Sequence, residues 1–499
     1  MKEKKFIGFD IGAESGRCVV AGLSDNKLEY HEVHRFSTYN IKYEKGFYWD
    51  ILAIYKEIIT GLTNAQKAYG SNFNGIGIDT WAVDYVLIDS DERILGYPYH
   101  YRDDRTDGIM EKAFQIVSKN KIYNQVGIQF AQFNTLFQFL AEEMQNLNLL
   151  NIADKFLLIP DFLSFLLSGK KKAEFTNAST TSLVNPFKRD WCWELIDEFK
   201  LPRKIFPEIV EPGHILGNIL PSIAKKTGLN PDIPVIATSS HDTASAVVSV
   251  PAVENSEWAF LSSGTWSLMG VELKHPLIVS EAMDYNFTNE GGVENTTRFL
   301  KNIIGLWPVQ ECKKYWDEKF TNYSYTELIS LAKKSEYAKS WINLNDPRFL
   351  KAGRMPEKIQ EYLQESKQTV KSDAGFIIRV LLESLAFNYR ETLKQIEKVT
   401  GEKIKSLYIV GGGVQNELLT QLTADAINCD VYAGPIEGTI IGNIGVQAIA
   451  VGVVPNLKAW RNIVANSFEL KIYKPVNTEY FNANEKNYRK ILKYSHDNY

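Results

Sequence analysis

Cysteine is scarce in this chain. There are four in 499 residues (Cys18, Cys192, Cys312 and Cys429), each more than a hundred residues from the next, with no Cys-x-x-Cys pair and no Cys/His cluster. That excludes a zinc module and a disulfide scaffold, and it fits a reducing compartment. An excess of one charge is missing too: 56 Lys+Arg oppose 60 Asp+Glu, a formal net charge of −4. A nucleic-acid binder would carry a basic surplus to match several phosphates, so no nucleic-acid partner is expected. Long apolar runs are absent. The most apolar stretch, residues 156–167, is broken by Pro160 and Asp161, whereas a membrane span needs about 20 apolar residues. Residues 6–9 are the only uncharged run before Asp10, too short for the apolar core of a secretory leader. The expectation is a cytoplasmic protein with no membrane partner, acting as a monomer or weak homodimer.

What is present is ordinary globular composition: 44% hydrophobic, 12% aromatic and 23% charged residues. This excludes a disordered or fibrous chain. The length suits two to three domains, and no low-complexity segment, short repeat or Pro/Gly/Ser-rich linker interrupts it. One long-range echo stands out. Residues 6–21 (FIGFDIGAESGRCVVA) and 258–273 (WAFLSSGTWSLMGVEL) both read as an apolar strand, a tight Gly/Ser turn and a second apolar strand. Two similar α/β domains, each opening with a hairpin, would produce this; so would coincidence.

Strand and helix signals alternate elsewhere. Residues 75–78, 86–88 and 233–237 read as buried strands. From 376 to 399 apolar residues recur at helical spacing, and Gly401 ends that pattern as a C-terminal glycine. A strand at 407–410, then Gly411-Gly412-Gly413, then a helix from about 416 to 427 complete an α/β pattern.

Three glycine-bearing loops carry candidate chemistry. In the first, Asp10-Ile11-Gly12-Ala13-Glu14-Ser15-Gly16-Arg17, successive N–H groups could form an anion nest. Ser15 adds a donor and Arg17 a fixed charge suited to phosphate, while Asp10 could hold Mg²⁺ through water. A plain turn with a surface arginine is the alternative. The second loop, Ser262-Ser263-Gly264-Thr265-Trp266-Ser267, offers hydroxyls without charge, and across a cleft it would complete a phosphate clamp. At the third, Gly411-Gly412-Gly413, glycine would let a flat ligand or phosphate approach the backbone near a helix N-terminus. It is not GxGxxG, and no ribose-binding acid follows at the dinucleotide-fold spacing.

Asp242 reads either as an N-cap or as the general base that phosphoryl transfer to a hydroxyl requires. His241 beside it could bond a polyol. Asp79 and Asp84 flank Trp81, an arrangement a polyhydroxylated ligand would require. Tyr101-Arg102-Asp103-Asp104-Arg105-Thr106 reads as a solvated, salt-bridged loop.

At these residues the chain resembles the FGGY carbohydrate kinases of the actin-like ATPase superfamily. The matching strings are FDIGAESGR, IGIDTWAVDY, GIQFAQFNTL, IPDFLSFLLSGK, EFTNASTTSLVN, SSHDTASAV, LSSGTWSLMG, LKNIIGLWPVQ, VGGGVQNELL and GPIEGTIIGNIG. They run in the family's order from about residue 6 to about 450. HDT and SGTW are shared among sugar-kinase branches; SHDTASAV, SGTWSLMG, DTWAVDY and LKNIIGLW point to the branch acting on L-rhamnulose. The resemblance implies an α/β fold of two ribonuclease-H-like domains, 1–244 and 245–499, with a central cleft closing on ATP and Mg²⁺. It implies phosphorylation of L-rhamnulose at its 1-hydroxyl, a step of L-rhamnose degradation. Carried over by position, ATP would meet Ala13, Glu14, Ser15, Gly16, Arg17, Thr265, Gln310 and Gly412. The sugar would meet Ala82, His241, Asp242, Thr243 and Asn302, with Asp242 the base and Asp10 the metal anchor. Ala82 departs from the family's Gly, placing a methyl where the backbone would approach the sugar. Gly438 replaces the usual Ala, and the family's Lys/Trp signature is replaced near Asn134-Thr135-Leu136-Phe137-Gln138. Two other readings stay open: a kinase for L-fuculose or L-xylulose, and a nucleotide-gated sugar sensor without turnover.

Overall fold

The structure is a computed structural model that describes residues 3–145, 148–252, 257–319 and 322–494. The chain forms two compact units. The first comprises Met1–Val253, Glu272–Leu300 and Gly438–Phe468; the second comprises Glu254–Val271, Lys301–Glu437 and Glu469–Tyr499. The segment after Pro455 is thus divided: its helix Leu457–Ser467 belongs to the first unit and its helix Thr478–Tyr494 to the second.

In the first unit, Lys4–Ile11 pairs antiparallel with Ser15–Ser24, which pairs antiparallel with Lys27–Ser37. On its other side Lys4–Ile11 pairs parallel with Ile76–Thr80, which pairs parallel with Pro234–Ala237. The parallel strands are buried on both faces, so they read as near-continuous apolar runs. Helix Ile51–Tyr69 covers one face and helix Gly438–Ala450 the other, where Ile440, Ile441 and Ile444 join Phe6, Val19 and Ala21 in one apolar cluster. Glycine also brings that second helix close to helix Asp242–Val248: a Cβ at Gly442 would lie 1.7 Å from the carbonyl oxygen of Ser245.

The second unit repeats the start of this arrangement. Trp258–Ser263 pairs antiparallel with Trp266–Leu273 and parallel with Ser406–Val410, which pairs parallel with Asp430–Ala433. The echo between 6–21 and 258–273 is therefore a pair of real hairpins with the same neighbours. The long helix runs from Ala374 to Thr400. The Asp373 side chain accepts from the Phe376 N–H at its start, and Gly401 at φ 74 ends it. No helix among the described residues is long and apolar enough to cross a membrane.

Candidate active site

The first hairpin turns through Gly12, Ala13 and Glu14. The Gly12 N–H donates to the Ser15 carbonyl at 2.9 Å, and Thr38 Oγ1 donates to the Gly12 carbonyl at 2.7 Å. Glu14 and Ser15 are exposed, and Ala13 and Arg17 half-buried. Antiparallel register sets Arg17 opposite Asp10, and its guanidinium lies 3.2 Å from Asp10 Oδ2. Parallel register sets Asp79 beside Asp10 on the next strand.

Asp79 is fully buried, and its Oδ2 accepts from Asn443 Nδ2 at 2.5 Å. Gln447 fixes that amide by donating to Asn443 Oδ1. Burial, then the charge of Asp10, pushes the Asp79 carboxyl well above its ordinary range; the Asn443 bond opposes this, Asp242 adds to it and Arg17 opposes it. Asp10, Asp79, Asp242 and Arg17 therefore form one electrostatic neighbourhood in the first unit.

Asp242 is the first residue of helix Asp242–Val248, and His241 is its cap residue with no capping side-chain bond. The N-cap reading of Asp242 is thereby replaced. Its Oδ1 accepts from its neighbour Thr243, at 2.5 Å from N and 3.2 Å from Oγ1, and the carboxylate remains about a third exposed. Buried groups hold the preceding residues. Glu174 is fully buried and accepts from both the N–H and the hydroxyl of Ser240. Behind His241 stands Arg298, which is 1% exposed. Its Nη2 lies 3.2 Å from His241 Nδ1, its Nη1 3.1 Å from Glu290 Oε2, and its Nε donates to the Gly291 carbonyl. His241 Nδ1 thus stands between a donor, Arg298, and an acceptor, Glu290 Oε2 at 3.3 Å, while its Nε2 lies 3.3 Å from Asp242 Oδ1.

Two expectations are corrected here. Asp79 and Asp84 do not offer carboxylates to a ligand: they are 0% and 1% exposed, and only Ala82 of that loop is half-buried. Asp79 sits on a strand buried on both faces, and the loop's turn carries Asp84 toward Trp49 and Gln138. The run 101–106 is salt-bridged as expected but solvated only in part: Asp104 is exposed, whereas the side chains of Asp103 and Arg105 are buried; Arg105 lies 3.1 Å from Glu142 and donates to the Gln138 carbonyl and Oε1.

In the second unit, Gly264 and Thr265 turn the second hairpin, and Thr265 Oγ1 accepts from Gln310 Nε2 at 3.2 Å. Two predicted nucleotide residues are thus neighbours. The N–H groups of Gly305 and Trp307 donate to the Thr265 carbonyl, and that of Leu306 to the Gly264 carbonyl. Asn302 is half-buried and belongs to the same unit, on the part of strand Thr297–Ile304 that follows Leu300. The glycine triplet divides its roles. A Cβ at Gly413 would lie 2.0 Å from Ser263 Oγ, and one at Gly411, which has φ 90, would lie 2.9 Å from the Ser263 carbonyl. Only Gly412 is exposed, with nothing within 4 Å of an added Cβ. So two of the three glycines serve packing against the second hairpin. A short 3₁₀ turn follows, and Asn416 caps helix Glu417–Ile427 through the Leu419 N–H.

Glu174, Glu290, Arg298 and Asn443 were not predicted from sequence. The strand Thr297–Ile304 (TRFLKNII) carries two cations, Arg298 and Lys301, so its sequence did not single out Arg298.

The FGGY family of carbohydrate kinases matches through its N-terminal domain at residues 5–249 and its C-terminal domain at 259–451. The chain is 43% identical to a rhamnulokinase of Halalkalibacterium halodurans, covering 94% of this chain and 98% of that one. It is 42% identical to a rhamnulokinase of Oceanobacillus iheyensis, covering 95% and 99%. Among solved structures, a xylulose kinase from Rhodospirillum rubrum superimposes with a TM-score of 0.80 at 15% identity, covering 99% of both chains; that likeness supports the fold.

Proposed function

Because this chain belongs to the FGGY family of carbohydrate kinases, we propose that it transfers the γ-phosphoryl group of ATP to the 1-hydroxyl of L-rhamnulose. The sugar's identity is taken from the two rhamnulokinases at 42–43% identity. The observation that carries the chemistry is Asp242: a partly exposed carboxylate at the head of a helix, in one neighbourhood with Asp10 and Arg17.

Phosphoryl transfer asks a protein chiefly for positioning and charge neutralisation. In this reading Asp242 accepts the proton from the attacking O1 hydroxyl. His241 and Thr243 orient the sugar, with Ala82 and Asn302 as further contacts. The turn N–H groups of residues 13–16 and the Arg17 guanidinium meet the phosphates, as do Thr265, Gln310 and Gly412 for the nucleotide. Magnesium suits this site. Asp10 offers a carboxylate oxygen beside the first turn, the kind of hard donor Mg²⁺ takes while keeping waters and phosphate oxygens in its shell. Asp10 would anchor it, and it would supply charge neutralisation at the phosphates.

The test is ADP release with L-rhamnulose, L-fuculose, L-xylulose, D-xylulose and glycerol, for wild type and Asp242→Asn. Preference for L-rhamnulose with near-complete loss in the Asn variant supports substrate and base together. Preference for another ketose keeps the base and overturns the substrate. ATP binding without any sugar-stimulated turnover overturns the kinase reading and leaves a sugar sensor.

A further inference from the structure

The loop that carries Ala82 is held from behind by a carboxylate that never reaches solvent. Asp84 is 1% exposed, and four donors converge on it. Trp49 Nε1 at 2.7 Å, Trp81 Nε1 at 3.0 Å and the Tyr101 N–H at 3.0 Å all donate to Oδ2, while Gln138 Nε2 donates to Oδ1 at 2.9 Å. Gln138 is itself fixed, because Arg105 Nη2 donates to its Oε1 at 2.8 Å and so turns the amide nitrogen toward Asp84.

Next to this anchor the backbone is strained. Val83 has φ 68 and is buried, a left-handed conformation that β-branched residues rarely adopt. Such strain persists only where the surroundings over-determine it. Here they do: Thr135 Oγ1 donates to the Val83 carbonyl at 2.7 Å, and the Asp84 N–H closes a turn onto the Ala82 carbonyl at 2.9 Å. Trp81 packs on Trp49 with ring centres 4.1 Å apart, and Trp49 stacks on His100 at 4.0 Å. The net result is a turn whose residues 81, 83 and 84 face inward and whose residue 82 alone is left partly open.

We infer that Asp84 is a positioning residue for the sugar: it gathers the loop into the one conformation that presents Ala82, without touching substrate itself. This rests on the reading above that Ala82 meets the sugar. The chemistry is consistent, since burial pushes Asp84 up to about 6 while the bonds from Trp49, Gln138, Trp81 and Tyr101 hold it down. Four N–H donors recognise a carboxylate, not a carboxylic acid.

The experiment uses the full chain and three proteins: wild type, Asp84→Asn and Trp49→Phe, the last removing one donor while keeping an aromatic ring. Thermal unfolding is measured beside kcat, the KM for L-rhamnulose and the KM for ATP. A loop released from its anchor loses sugar binding and keeps the phosphoryl-transfer machinery. So the KM for L-rhamnulose should rise about tenfold or more in Asp84→Asn and about threefold in Trp49→Phe, with kcat and the ATP KM held within about twofold. An unchanged sugar KM in a folded variant overturns the inference, as does a fall in kcat alone or an equal rise in the ATP KM. Should Asp84→Asn fail to fold, Trp49→Phe decides by the same criteria. A wild type without sugar-dependent ADP release overturns the reaction itself; an active wild type with unaltered variants overturns only the role of Asp84.

Discussion

The two hairpins share a strand order and differ in what their turns hold. In the first unit the turn sits among charges: Arg17 pairs with Asp10, and Asp79 and Asp242 lie in the same field. In the second unit the turn has hydroxyls and an amide, Thr265 and Gln310, and a glycine triplet pressed onto Ser263. In the proposed reading one fold motif serves two tasks: charge and proton acceptance where phosphate and sugar would react, and neutral, close-packed backbone where a nucleotide would only be held. The lesson is that matching topology does not carry matching chemistry, which resides in the side chains placed at the turn.

The largest expected effect breaks the comparison on its charged side. Asp242→Asn keeps the Thr243 contacts in outline and removes the proton acceptor. A positioned base contributes about 10²–10⁴-fold, so kcat should fall by about a thousandfold with the unfolding temperature unchanged. A residual rate within tenfold of wild type would place the base elsewhere. Next comes Arg17→Met, which removes the cation and leaves Asp10 unopposed. A charged hydrogen bond contributes about 1.5–3 kcal/mol, so kcat/KM for ATP should drop by about 10–100-fold. Equal activity in the two proteins would make Arg17 a structural partner of Asp10 and nothing more.

The neutral side is tested through stability. Gly413→Ala drives a methyl into Ser263, whereas Gly412→Ala meets open space. Overpacking costs about 1–3 kcal/mol, so the first variant should lose that much in denaturant unfolding and the second should stay near wild type. Similar losses in both would mean that the triplet is not divided as described.

How much of this was legible beforehand follows the same division. The hairpins, the parallel strands and the helix ending at Gly401 were readable because apolar periodicity and turn residues are local signals. The candidate residues of the charged turn were readable because Gly, Ser and Arg at that spacing have a phosphate-binding rationale. The inward turn of Asp79 and Asp84 was not, since several of the donors that make burial of a carboxylate tolerable, Asn443, Trp49 and Gln138, are distant in sequence. Gly411 and Gly413 were read as ligand-facing because sequence does not reveal that Ser263 stands against them. Arg298 escaped notice for the same reason: its partners Glu290 and His241 come from other segments. Long-range polar pairing is what local pattern leaves out.

The smallest effect sharpens the comparison most. Thr265→Val is nearly isosteric and leaves the turn's backbone bonds from Gly305, Leu306 and Trp307 in place, but it deletes the hydroxyl that accepts from Gln310. If the second turn binds nucleotide through hydroxyl and amide dipoles, one neutral hydrogen bond is lost, about 0.5–1.5 kcal/mol. The KM for ATP should then rise by about two- to tenfold, while kcat and the KM for L-rhamnulose hold. Gln310→Ala should give a shift of the same order, and the double variant should fall short of the product of the two, because the residues touch and their effects are not independent. A fall in kcat/KM for ATP in Thr265→Val as large as that of Arg17→Met would erase the contrast between the turns, and the second hairpin would then have to be counted with the reacting centre.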